Sequence, residues 1–122
     1  MSRAGRGAPG PLLSPTDWHV LVALADEDLH GYGIMKAVQR DSGGAVTAEV
    51  GSLYRILSRL MTQGLVDEVD EPDGAPAETR GRARRYYRLT DEGRTALRQE
   101  SARLARALAL ARERRLLPRG SK

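Results

Sequence analysis

Leu53, Ile56, Leu57, Leu60 and Met61 recur at i, i+3, i+4, i+7 and i+8, and Gly64 follows shortly after them. That spacing sets all of them on one stripe of an α-helix. Gly64 stands where a left-handed residue closes a helix. The stripe commits one face to a core. The opposite face carries Gly51, Arg55, Ser58 and Thr62, flanked by Tyr54 and Arg59, with no acidic residue. A helix that is apolar on one side and basic, hydroxylic and acid-free on the other suits a polyanion.

The segments before this helix set its place in the chain. Ser14-Pro15-Thr16-Asp17 is a helix start: Ser14 caps, Pro15 fits the first helical position, and Asp17 completes a capping box facing the positive helix end. Trp18, Leu21, Val22 and Ala25 continue at helical spacing, predicting a helix to about Ala25 or Glu27. Asp26 to Gly31 is expected as a polar turn. A second short helix spans about Tyr32 to Arg40, with Ile34, Ala37 and Val38 on one face and Gly43-Gly44 as its stop. The acid-free helix is therefore the third of three.

Two strands are expected next. Leu65 to Val69 and Arg84 to Leu89 enclose a loop, Asp70 to Ala83, that holds Pro72, Asp73-Gly74, Pro76 and Gly81. Together they form a hairpin, or wing. Thr90-Asp91-Glu92 then caps a last helix running to about Leu116, before Pro118. Leu97, Ser101, Leu104, Leu108 and Ala111 alternate steps of four and three along it, a heptad-like seam. A helix this long projects past so small a core, and its apolar stripe calls for a partner, expected to be the same helix of a second subunit.

The expected architecture is mainly α: a winged helix-turn-helix domain over residues 14–90 and a long C-terminal dimerisation helix over 91–117. A disordered tail is expected over 1–13, rich in Gly, Pro and Arg, and a short tail over 118–122. At 122 residues the chain is sized for one domain, and without Phe its core must come from Leu, Val, Ile and Ala. The absence of Cys excludes disulfides, thiolate metal sites and cysteine nucleophiles. No 18-residue apolar run and no apolar signal core occur, so a soluble, cytoplasmic protein without a membrane partner is expected.

Catalysis finds little support. His19 and His30 match no metal-binding spacing, and no phosphate-binding glycine loop or nucleophile elbow occurs. No metal or cofactor is expected. Double-stranded DNA is the expected partner, with the third helix in the major groove. There Arg55 can pair with a guanine edge, and Ser52 and Ser58 can reach bases or phosphates. Tyr32 and Tyr54 offer hydroxyls to phosphate oxygens, Lys36 adds a cation, and Gly31 lets a phosphate approach the start of the second helix. In the wing, Arg80, Arg82, Arg84, Arg85 and Arg88 cluster within nine residues, and Arg82, Arg84 and Arg85 are the candidate contacts. The preceding Asp67, Glu68, Asp70, Glu71 and Asp73 must face away from DNA or pair across the hairpin. His30 is expected to fix the turn by a local hydrogen bond. Trp18 is expected in the core; as a ligand-stacking surface it would mark an effector position between the first and last helices.

These residues resemble the PadR family of transcriptional regulators. His30-Gly31-Tyr32-Gly33-Ile34 is similar to its H-G-Y-x-I signature. Gly51-Ser52-Leu53-Tyr54, with Leu57, Leu60 and Gly64-Leu65-Val66, is similar to its G-T/S-L-Y stretch. Arg85-Tyr86-Tyr87-Arg88-Leu89-Thr90-Asp91-Glu92-Gly93 is similar to its K/R-Y-Y-x-L-T-x-x-G junction. The resemblance spans roughly Leu12 to Leu97. It implies a homodimeric repressor on an inverted-repeat operator, in the compact branch with one C-terminal helix, with release by a small aromatic molecule as in many members. Three departures stand out. Arg55 replaces a frequent Pro, the wing loop is long, and no Trp follows Trp18 to hold a flat ligand from the last helix. The alternatives are a winged-helix module that binds protein, and a MarR-type repressor. The H-G-Y block and the single terminal helix argue against the latter.

Overall fold

A computed structural model describes residues 13–71 and 85–118. The elements run α1 (Pro15–Ala23), β1 (Leu29–His30), α2 (Gly31–Asp41), α3 (Val50–Thr62), β2 (Val66–Val69), β3 (Tyr86–Leu89) and α4 (Asp91–Glu113). The expected tails over residues 1–12 and 119–122, and most of the expected wing loop, lie outside the described residues. No helix among the described residues is long and apolar enough to cross a membrane.

The helix starts follow the capping residues. Ser14 Oγ accepts the Asp17 N–H, His30 Nδ1 accepts the Gly33 N–H, and Thr90 Oγ1 accepts the Gly93 N–H. Each satisfies an amide that has no carbonyl partner in the first turn of its helix. Asp17 departs from the expectation. Its backbone takes the cap bond, but its carboxylate turns away to meet Arg59 of α3. Leu13, expected in the tail, is buried in the core one residue ahead of the cap. From there an apolar side chain fixes the angle at which the chain joins the helix.

α3 ends as the sequence indicates. Gly64 has φ +79°, the Leu65 N–H donates to the Leu60 carbonyl, and the Gly64 N–H donates to the Met61 carbonyl. These are the paired bonds of a Schellman close. Its apolar stripe is inside: Leu53, Leu57 and Leu60 are fully buried among Val20, Leu21, Ile34 and Val38.

The sheet has three antiparallel strands in the order β1-β3-β2. Leu29 faces Tyr87 and His30 faces Tyr86; Val66 faces Leu89 and Asp67 faces Arg88. β1 corrects the expectation of a plain polar turn from Asp26 to Gly31. Two residues are too few to carry an alternating pattern, so only pairing with β3 reveals the strand. The strand hydrogen bonds tie the start of α2 to the wing.

α3, the wing and α4 meet at one point. The Thr90 N–H donates to the Leu65 carbonyl at 3.1 Å, and Thr90 Oγ1 donates to the Gly64 carbonyl at 2.7 Å. Gly93, in the first turn of α4, lies so close to this turn that a Cβ would sit 2.1 Å from Leu65 O and 2.7 Å from Leu89 Cδ1. α4 then crosses α1, where the Trp18 indole N–H donates to Ser101 Oγ at 3.0 Å and Arg94 donates to the Ala25 carbonyl. Gly93→Ala must move backbone, and overpacking of this kind costs about 3 kcal/mol. We expect thermal unfolding, followed by circular dichroism, to shift down by roughly 10–20 °C in this variant.

Candidate nucleic-acid interface

The exposed face of α3 is built from residues that the core does not need. Leu53, Leu57 and Leu60 point inward, which leaves Gly51, Tyr54, Arg55, Ser58 and Thr62 exposed and Ser52 half-buried. Arg55 extends back along the helix and its guanidinium lies 3.5 Å from Ser52 Oγ. Helical side chains lean toward the N-terminus, as Arg55 does toward Ser52, while the space where a Gly51 Cβ would stand has no neighbour within 4 Å.

α2 adds the second part. Tyr32 is 62% exposed, and the Lys36 ammonium stands 5.4 Å from its ring centroid. The His30 ring lies parallel to Tyr32 at 6.4 Å and meets Tyr86 of β3 edge-on at 5.3 Å. His30 therefore does locally what the sequence indicates, and it also links the start of α2 to the wing strand.

Gly31 has a different surrounding from the one expected. It is buried, and the space where its Cβ would be is taken by the Tyr54 hydroxyl, 2.6 Å away. The glycine leaves room for Tyr54 to cross from α3 over the first turn of α2. No open approach for a phosphate lies beside that Cα. The pair is distant along the chain and neither residue shows a periodic signal, so the sequence alone gives no sign of it.

Arg59 was expected to flank the face as a cation. Instead it makes a two-pronged pair with Asp17, at 3.1 and 2.9 Å, with the Asp17 side chain 6% exposed. The hydrogen bond to Asp17 raises the Arg59 pKa above its ordinary value, working against a smaller desolvation effect. The planar guanidinium matches both carboxylate oxygens, so α1 and α3 are joined by a fork a lysine could not make.

The wing shows the same pairing of charges. Arg85 lies 3.5 Å from Glu68 across the hairpin, while Arg88 makes two hydrogen bonds to Asp28, at 3.3 and 2.9 Å. The bond to Asp28 raises the Arg88 pKa above its ordinary value. Burial raises that of Tyr87, against a hydrogen bond from Arg85 that lowers it. The acids of β2 are thus partly answered by the Arg run, as the sequence suggested. Arg80, Arg82 and Arg84 lie outside the described residues.

Three helices with the third presenting an exposed basic and hydroxylic face, followed by a β-hairpin against it, define a winged-helix DNA-binding fold. The chain belongs to the Transcriptional regulator PadR-like family, whose model matches residues 20–99. Over 87 residues it is 41% identical to an uncharacterized 37.1 kDa protein in transposon TN4556 of Streptomyces fradiae, a match covering 71% of this chain and 22% of that protein. Over 83 residues it is 36% identical to the transcriptional regulator Rv3488 of Mycobacterium tuberculosis, covering 67% of this chain and 68% of that one. The crystal structure of Bacillus subtilis PadR in complex with operator DNA has a similar fold, with TM-score 0.53 and 23% identity, covering 67% of this chain and 44% of that one. The chain spans about a fifth of the Streptomyces protein's length. Membership in this family places the chain among transcriptional regulators.

Arg59→Ala leaves the Asp17 carboxylate buried without its partner. Because Arg59 is itself half-exposed, we expect a loss of about 2 kcal/mol in urea denaturation, with part recovered by adding Asp17→Asn.

Proposed function

We propose that this regulator is a sequence-specific homodimeric repressor that binds an inverted-repeat operator. The observation that carries the reading is the exposed face of α3, acid-free from Gly51 to Thr62 and projecting beside the wing. A helix of this kind fits a major groove about 12 Å wide. Arg55 pairs with a guanine edge, and Ser52 and Ser58 contact bases or phosphates. Tyr32, Tyr54 and Lys36 hold phosphates from the α2 side, with Gly31 seating Tyr54. Arg85 reaches the backbone from the wing, together with Arg82 and Arg84 of the loop. That B. subtilis PadR was crystallised with operator DNA supports a DNA target for the shared fold.

The dimer reading rests on α4. Leu97 is buried in the domain core and Ser101 serves Trp18, so the first part of the heptad-like seam holds α4 to its own domain. Beyond it Leu104 is 44% and Leu108 47% exposed, and Ala111 continues the same stripe. A second copy of α4 covers this stripe and sets two α3 helices on successive half-sites. Release by a small aromatic effector rests on the family resemblance. Trp18 remains the candidate position, with its N–H already held by Ser101 and its ring packed against the core.

Site selection from a random duplex pool, followed by fluorescence anisotropy at several salt concentrations, tests the reading. A palindromic site with half-sites about one helical turn apart, bound at physiological salt, is the expected result. Uniform weak binding lost with salt would overturn it. Arg55→Ala should weaken the selected site by about 1–3 kcal/mol while leaving random DNA little affected. Leu104→Glu with Leu108→Glu should give a monomer by light scattering where the parent chain gives a dimer.

A further inference from the structure

We propose that Val50 reads the 5-methyl group of a thymine, making it a specificity-determining residue of the operator site; this rests on the DNA-binding role of α3 proposed above. Val50 is the first residue of α3 and is 57% exposed. It belongs neither to the buried core nor to the partly buried residues packed against it, whereas its neighbours Val46 and Ala48 do. The fold therefore gives no reason for a branched apolar side chain here. Nor does helix propensity, which disfavours β-branched residues.

The placing of the exposed apolar groups supports a ligand. Among the described residues the large ones are Leu104, Leu108, Leu110 and Leu116 on or just beyond α4, Tyr32 in the first turn of α2, and Val50 and Tyr54 in the first turns of α3. Both tyrosines carry hydroxyls suited to phosphate oxygens. Val50 has no polar atom in its side chain, so no phosphate and no hydrogen-bonding base edge rewards it. In the major groove the apolar group offered by a base pair is the thymine methyl.

Position agrees with chemistry. In a helix-turn-helix the N-terminal residues of the recognition helix meet base edges, and Val50 occupies the first position of that helix. Gly51 beside it leaves open space, and Arg55 from the next turn reaches back to Ser52 Oγ. A guanine contact by Arg55 and a thymine contact by Val50 thus fall in the same half-site, with the glycine letting the bases come close. Val50 supplies discrimination by shape, Arg55 by hydrogen bonding.

The test uses the full chain and the site selected as above. Each thymine is replaced in turn by deoxyuridine, which keeps every hydrogen-bonding group and loses only the methyl. At one position per half-site we expect about fourfold weaker binding by the parent protein, the value of one buried methyl-sized group. Val50→Ala should bind the thymine site about as weakly and no longer distinguish it from the deoxyuridine site. Val50→Thr, which keeps one methyl and the branched shape, should retain part of the discrimination. Unchanged thermal unfolding of Val50→Ala would establish that the folded state is being compared. If no position responds to deoxyuridine, or if Val50→Ala discriminates as well as the parent, the inference is overturned while an Arg55-dependent site leaves the repressor reading standing. If no specific site is recovered, both fall.

Discussion

The Leu65 carbonyl holds the molecule's working parts in register. It accepts the Thr90 N–H, and the absence of a side chain on Gly93 lets α4 come down against it. Gly64, which closes α3, accepts the Thr90 hydroxyl one residue away. The end of α3, the first strand of the wing and the start of α4 are therefore fixed to one another by a backbone bond, which has no rotamer to relax into, and by the Thr90 hydroxyl beside it. A second tie, Trp18 to Ser101, stops α4 from swinging about that point. Any movement of α4 must accordingly carry α3 with it or break this junction.

Around that junction the charged residues divide by task. Arg59 is committed to Asp17, Arg88 to Asp28, and Arg85 stands beside Glu68. Arg103 pairs with Glu100, a largely buried acid on α4. In each pair a carboxylate is answered by an arginine of the same chain. Arg55 and Lys36, by contrast, rest near uncharged groups, one beside Ser52 and the other against Tyr32.

Local signals were legible in the sequence. The caps at Ser14 and Thr90, the stop at Gly64 and the stripe of α3 depend on residues within a few positions of one another, and each appears where the spacing indicates. The order of helices and hairpin followed from these. What the sequence hid were partnerships across distance. Asp17 has the spacing of a capping-box acid, and nothing near it reveals Arg59, 42 residues away. Gly31 looks like an opening for a ligand until Tyr54 is seen to occupy it. Leu97 and Ser101 fit the heptad seam as well as Leu104 and Leu108 do, and only the packing of α1 separates the inner half from the outer. Of the proposed DNA contacts, Val50 was overlooked because an apolar residue at a helix start draws no attention until its exposure is known.

The commitment of arginines to carboxylates bears on the thermodynamics of binding a polyelectrolyte. A protein gains affinity for DNA largely by releasing condensed counterions, and the logarithm of the binding constant falls with the logarithm of salt by about 0.9 for each phosphate neutralised. A guanidinium already facing a carboxylate releases no net ions unless its own pair is first given up. For Arg59, Arg85 and Arg88 that exchange is close to even, so the arginine count overstates how steeply salt acts on this surface. Contacts that do not depend on ion release, such as hydroxyls and shape, hold a correspondingly larger share of the affinity as ionic strength rises.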